Sequence, residues 1–90
     1  MILSAPNNSI VKGRIKNIKR NSKLTVELLL IDSKDVEGLP NFTRNRLGKE
    51  IQVLFDKKYE SDIILGKEID GIYIRYIGDE RGGLFHGKFQ

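Results

Sequence analysis

The chain has 90 residues, one histidine, no cysteine and a formal net charge of +4. This length predicts one small domain over residues 1–90, and the missing cysteines exclude disulfide bridges, thiolate metal sites and thiol catalysis. The longest aliphatic run, residues 28–31, is far too short to cross a bilayer. We therefore expect no membrane association and a cytoplasmic location.

Positive charge is concentrated near the start of the chain. Residues 1–23 hold six basic residues and no acidic one, whereas residues 24–90 hold ten basic and twelve acidic residues. Such asymmetry favours a polyanionic partner, most often nucleic acid. The alternative is a lysine-rich, solvated strand edge that discourages aggregation. The six basic residues are Lys12, Arg14, Lys16, Lys19, Arg20 and Lys23.

The first strand follows a lead-in over residues 1–9 and is predicted over residues 10–20. Within it, apolar residues or glycine alternate with basic residues, which predicts one buried and one solvated face. Ile18 falls on the wrong parity, so we expect a β-bulge near Asn17 that returns it to the core side. Gly13 indicates a sharp bend or a close backbone approach.

A second strand is predicted over residues 23–32, with a fully aliphatic inner face. Its outer face ends apolar in Leu29 and Ile31, so we expect the chain's own loop to cover that end. The alternative is a contact with a partner protein. Residues 33–46 are less regular and have room for one helical turn, and Phe42 within them is assigned to the core.

The sequence Leu-Gly-Lys-Glu-Ile occurs twice, at residues 47–51 and 65–69. Each copy predicts a turn with glycine at positive φ, followed by a strand whose first buried residue is isoleucine. Residues 56–64 between the copies have room for one helical turn. The remaining strands are predicted over residues 47–55, 68–77 and 84–89.

The residues for catalysis are missing. His86 is the only histidine, so a His-pair metal site is excluded, and we expect this residue at the barrel rim. No glycine-rich phosphate loop leads into a helix. Asp79 and Glu80 are adjacent acids in a turn, where solvation is their usual state. We therefore expect no enzymatic activity, no cofactor and no metal ion.

Tyr73 and Arg75 alternate on one face of the fourth strand. Arg75 is suited to a phosphate, and Tyr73 offers a ring for base stacking worth about 1–3 kcal/mol per base. The alternative for Tyr73 is a half-buried residue that packs across strands. Phe85 and Phe89 are assigned to the core. The candidate nucleic-acid-binding residues are Lys12, Arg14, Lys16, Lys19, Arg20, Lys23, Tyr73, Arg75 and Arg81.

Five short strands with little helix predict an all-β fold, a small five-stranded Greek-key barrel over residues 10–89. This order of elements resembles the OB-fold domains. The resemblance implies a ligand site that includes the second and third strands and the loops at residues 19–23 and 78–83. Many OB-folds have a helix where residues 56–64 allow only a turn, so an SH3-like barrel remains the alternative.

Two functions follow from these patterns. The first is a non-catalytic domain that binds nucleic acid, either single-stranded DNA or RNA or structured RNA. The alternative is a protein-interaction or accessory module that docks on a larger assembly. Such a module would use an exposed strand edge or residues 33–46. The sequence leaves the oligomeric state open.

Overall fold

A computed structural model describes residues 7–20, 22–78 and 84–90 of the chain. These ranges form five β-strands and two short 3-10 helices. In chain order they are β1 (Ser9–Arg20), β2 (Leu24–Asp35), a 3-10 helix (Arg44–Arg46), β3 (Glu50–Phe55), a second 3-10 helix (Lys57–Asp62), β4 (Glu68–Tyr76) and β5 (Leu84–Phe89). Neither of these helices has the length or the apolar run that a bilayer crossing requires.

The five strands close into a barrel in the order β1-β2-β3-β5-β4, and β4 returns to pair with β1. β3 and β5 are parallel, whereas every other neighbouring pair is antiparallel. A parallel pair requires a crossover connection, so the chain is not a simple up-and-down meander. The prediction of a small all-β barrel of the OB-fold or SH3-like kind is confirmed.

A β-bulge in β1 explains the change of parity along that strand. The pairing with β2 shifts between Ile15 and Asn17, which leaves Lys16 without an opposite residue. Beyond the shift, Ile18 pairs with Val26 and packs against the core. The bulge predicted near Asn17 is confirmed, and its cause is the extra residue that turns Ile18 inward.

Gly13 of β1 packs tightly against Leu28 and Leu29 of β2. A Cβ atom at this position would lie 2.6 Å from Leu28 Cγ and 2.8 Å from the carbonyl oxygen of Leu29. Both distances are shorter than a real carbon contact, so any larger residue would push the strands apart. The close backbone approach predicted from the sequence is confirmed.

The core fills the inside of the barrel. Fourteen of the described apolar residues are buried, and burial of each such side chain stabilises the fold by about 1.5–3 kcal/mol. The second 3-10 helix covers one end, where the Tyr59 ring lies 4.9 Å from the Phe89 ring. The buried residues are Val11, Ile15, Leu24, Val26, Leu28, Leu30, Ile51, Val53, Phe55, Ile63, Ile69, Ile72, Ile74 and Phe85.

Gly71 changes the parity of β4. Its φ of 70° lies in the left-handed region, which glycine adopts without a Cβ penalty. Ile69 before it and Ile72 after it are therefore both buried, although strict alternation predicts Ile69 on the opposite face. Alternation alone is therefore wrong at Ile69, whereas the pentapeptide pattern, which predicts this isoleucine as the first buried residue of its strand, is confirmed. β4 also ends at Tyr76, one residue earlier than predicted.

Both copies of the repeated pentapeptide form the predicted turns. Gly48 has a φ of 80° and Gly66 a φ of 83°. Each is followed, three residues later, by an isoleucine that is only 5% exposed, Ile51 in β3 and Ile69 in β4. The shared sequence thus reflects a shared way of starting a strand.

Two apolar side chains assigned to covered positions are exposed. Ile31 is 42% exposed on the outer face of β2, where the pairing with β1 shifts: Lys12 pairs with Asp32, whereas the next residue, Gly13, pairs with Leu30. The predicted loop does not cover it. Phe42 is 44% exposed and does not enter the core.

Candidate nucleic-acid interface

Four residues on the outer face of β4 and β5 form two cross-strand pairs. Tyr73 lies opposite Lys88, and Arg75 lies opposite His86. Residues two apart on a strand share a face, so all four side chains lie on one surface. Tyr73 and His86 are half-buried, whereas Arg75 and Lys88 are exposed. We call these four residues the β4–β5 patch.

The turn between β1 and β2 brings a further cation to this patch. Burial lowers the pKa of His86 below its usual 6.5, and the positive charges of Arg75 and Lys23 lower it further. The carboxylate of Asp56 opposes them with a smaller effect. Two cations thus approach the imidazole from different elements. His86 lies midway along β5 and not at its predicted position on the barrel rim.

The outer surface continues from His86 across three further strands. Leu54 on β3 lies opposite His86, Thr25 on β2 lies opposite Leu54, and Lys19 on β1 lies opposite Thr25. Neighbouring strands are about 4.8 Å apart, so consecutive members of this row are adjacent. Leu54 and Thr25 are half-buried, and Lys19 is exposed. The row joins the patch to the predicted ligand face of the second and third strands.

Two basic residues of β1 face a carboxylate instead. Lys12 Nζ and Arg14 Nη2 each lie 3.5 Å from a carboxylate oxygen of Glu68, the first residue of β4. Arg14 Nη1 also donates to the carbonyl oxygen of Gly66 at 3.2 Å. Because Glu68 offsets part of their charge, these two candidates attract a phosphate less than an unpaired cation does.

The other candidate cations differ in their surroundings. Arg20 Nε lies 3.4 Å from a carboxylate oxygen of Glu60, and Lys16 is exposed at the bulge of β1. The remaining cations of this surface are Lys19, Lys23, Arg75 and Lys88. Within residues 7–20, 22–78 and 84–90, no carboxylate forms an ion pair with any of them. Arg81, and residues 79–83 of the predicted far loop, lie outside the described residues.

His86 and Lys88 are not among the binding residues predicted from the sequence. The signal was present, because strict alternation along β5 places both on the face opposite Phe85 and Gly87. Phe85 is buried, and Phe89 is half-buried against the core, so the core assignment of both phenylalanines is confirmed.

The patch combines the two kinds of group that a nucleic-acid strand requires. Arg75 and Lys88 carry charge for phosphates, and Tyr73, which adjoins both, carries a ring for a base. In the described ranges, no group of three His, Asp or Glu side chains is positioned to hold a metal ion.

Comparisons of this chain with protein-family models, with curated proteins and with solved structures found no match.

Proposed function

We propose that the barrel binds single-stranded nucleic acid through the β4–β5 patch. The observation that supports this proposal is the double cross-strand pairing, Tyr73 with Lys88 and Arg75 with His86. It places an aromatic ring and two exposed cations on one rigid face. Lys23 and Lys19 extend the positive surface toward the turn between β1 and β2.

Single strands suit this surface better than duplexes. A base in a duplex is stacked on both faces, whereas an unpaired base exposes a face to Tyr73. Phosphates of either DNA or RNA, or of an unpaired loop in structured RNA, are attracted by Arg75 and Lys88. Each phosphate that is neutralised releases counterions, so the affinity must fall as salt rises.

The proposal is tested by titrating labelled oligonucleotides of about ten residues, as single strands and as duplexes, with the whole chain. The test variant is Arg75→Ala/Lys88→Ala, and the matched control is Lys34→Ala/Lys67→Ala. Both remove two exposed lysine or arginine charges, but the control residues lie outside the patch. We expect the test variant to bind single strands roughly tenfold or more weakly than the control. Equal affinity of the two variants, or no binding by the wild-type chain at low salt, contradicts the proposal.

A second candidate function, docking on another protein, is favoured by a different surface. Ile64 and Leu65 are 53% and 65% exposed in the turn before β4. Adjacent exposed aliphatic residues are a feature of protein contacts. Each strand has a neighbour on both sides, so this turn and residues 33–46 are better supported for docking than a strand edge.

Affinity purification with the wild-type chain and with Ile64→Ser/Leu65→Ser tests the second candidate. A defined protein that binds the wild type stoichiometrically and is lost by the variant supports docking. Identical results for both chains contradict it.

A further inference from the structure

A second aromatic and basic pocket lies away from the β4–β5 patch, between the loop after β2 and the end of β4. Its walls include Phe42, Arg46, Lys49 and Tyr76. The rings of Phe42 and Tyr76 meet edge to face, with centroids 5.8 Å apart. The Arg46 guanidinium carbon lies 5.9 Å from the centroid of the Tyr76 ring. The pocket therefore joins stacking groups to cationic ones.

The exposure of Phe42 is imposed by its two neighbours. Thr43 is 1% exposed, and its Oγ1 lies 2.6 Å from Ser33 Oγ and 3.1 Å from Ser9 Oγ. The Asn41 side chain donates to Ser33 Oγ and accepts from the backbone N–H of Thr43. These bonds hold the backbone on both sides of Phe42 and leave its ring outside.

A ring held in this way costs little entropy when a ligand stacks on it. An apolar ring usually gains free energy by leaving water, yet Phe42 keeps 44% of its surface exposed. A second flat group that covers the ring recovers part of that free energy. Preorganisation by the hydroxyl and amide bonds adds to the gain, because the loop is ordered before binding.

The charge of the loop selects an anionic ligand. Residues 41–49 contain three basic residues and no acidic one. Arg44 is paired with Asp35, and its hydrogen bond is the main cause that lowers the pKa of that carboxyl. Arg46 and Lys49 line the pocket together with Phe42 and Tyr76.

We propose that this pocket holds one base of a single-stranded nucleic acid, stacked on Phe42, with its phosphate facing Arg46 and Lys49. The ligand class rests on the proposed function, but the residues are different from those of the β4–β5 patch. A nucleotide carries both a flat ring, which can stack on the aromatic walls, and an anion, which the basic side chains attract. An acidic peptide such as tetra-aspartate carries anions but no flat ring.

The test compares Phe42→Ala with Ile64→Ala in the whole chain. Both residues are exposed apolar side chains, at 44% and 53%, so neither change empties the core. Binding of a short single-stranded oligonucleotide, of inorganic phosphate and of a tetra-aspartate peptide is followed by NMR, at the ring signals of Tyr76 in every chain and also of Phe42 where it is present. We expect the oligonucleotide alone to shift these signals. We also expect Phe42→Ala to weaken its binding at least about fivefold relative to Ile64→Ala.

The outcomes separate the pocket from the patch. Equal binding by Phe42→Ala and Ile64→Ala, while Arg75→Ala/Lys88→Ala loses affinity, overturns the pocket and leaves the proposed function intact. Loss of binding by Phe42→Ala alone supports the pocket and contradicts the patch. Ring shifts of equal size with tetra-aspartate or with phosphate overturn the assignment to a nucleotide.

Discussion

Arg75 on β4 and His86 on β5 are direct cross-strand partners on the outer wall of the barrel. Burial lowers the pKa of the imidazole, and the guanidinium charge of Arg75 lowers it further. A cation next to a titratable ring makes the ring sensitive to any anion that arrives between them. The affinity for the proposed ligand should therefore depend on pH through this pair.

Nucleic-acid binding is expected to strengthen on acidification. A phosphate near Arg75 and Lys23 screens their charge from His86, so the pKa of His86 rises in the complex. A group that binds protons more tightly in the complex favours the complex as pH falls. Between about pH 7.5 and pH 5.5 we expect affinity to increase by up to about tenfold per unit by which the pKa rises. The measurement is a titration at both pH values, with His86→Gln as the control that flattens the response. A wild-type response equal to that of His86→Gln contradicts this prediction.

The free energy of unfolding is expected to change with pH in the opposite sense. The pKa of His86 is lower in the folded chain than the 6.5 of an unperturbed histidine, so the unfolded chain binds the proton more tightly. The stability contributed by the neutral ring is present above about pH 6.5 and is lost as pH falls through the folded-state pKa. Thermal unfolding of the ligand-free chain from about pH 7.5 to pH 5.5 measures this loss. His86→Gln should lose less stability over the same interval, and an equal loss in both chains contradicts the assignment.

The basic residues of β1 are expected to contribute less to binding than those of the patch. Glu68 already lies 3.5 Å from both Lys12 and Arg14. Lys12→Ala/Arg14→Ala should therefore lower affinity less than Arg75→Ala/Lys88→Ala does. Because these ion pairs are exposed, we expect stability to change by less than about 1 kcal/mol. Titration and chemical denaturation of the two variants measure both effects, and a larger loss of affinity from the β1 variant reverses the assignment.

Gly87 is expected to be required for packing. A Cβ atom there would lie 2.6 Å from Phe55 Cε1 and 2.7 Å from Val53 Cγ1, inside the core. Gly87→Ala should destabilise the fold by about 1–3 kcal/mol, because the ring and the strand must move apart. Phe55→Leu frees the space that the new methyl group needs. In urea denaturation the double variant Gly87→Ala/Phe55→Leu should lose less stability than the sum of the two single variants, and strict additivity speaks against this contact.

The sequence predicted much of the barrel because its strands alternate strongly. The bulge that returns Ile18 to the core and the two glycine turns before Ile51 and Ile69 followed from parity and φ alone. The change of face at Gly71 did not follow, because a single glycine in a strand does not reveal whether its φ is positive. The exposure of Ile31 did not follow either: alternation places this residue on the outer face, but whether a loop covers it depends on how the loop packs and not on the strand's own pattern.

The candidate site was only partly predictable. Tyr73 and Arg75 share a face of one strand, so local alternation was sufficient to place them together. Lys88 and His86 join them through the β4–β5 register, which depends on the whole hairpin. The neutralisation of Lys12 and Arg14 depends on a β1–β4 contact between residues more than fifty positions apart. Charge clustering along the chain therefore did not indicate which cations remain unpaired.

The salt dependence of single-strand binding tests the central claim most directly. The logarithm of the association constant falls linearly with the logarithm of salt concentration, by about 0.7 for each phosphate contact with a single strand. The β4–β5 patch predicts that Arg75→Ala/Lys88→Ala makes this slope shallower by about 1.4. Lys34→Ala/Lys67→Ala should leave the slope unchanged. A slope that is the same in the wild type and in both variants contradicts the claim that this patch contacts the phosphates.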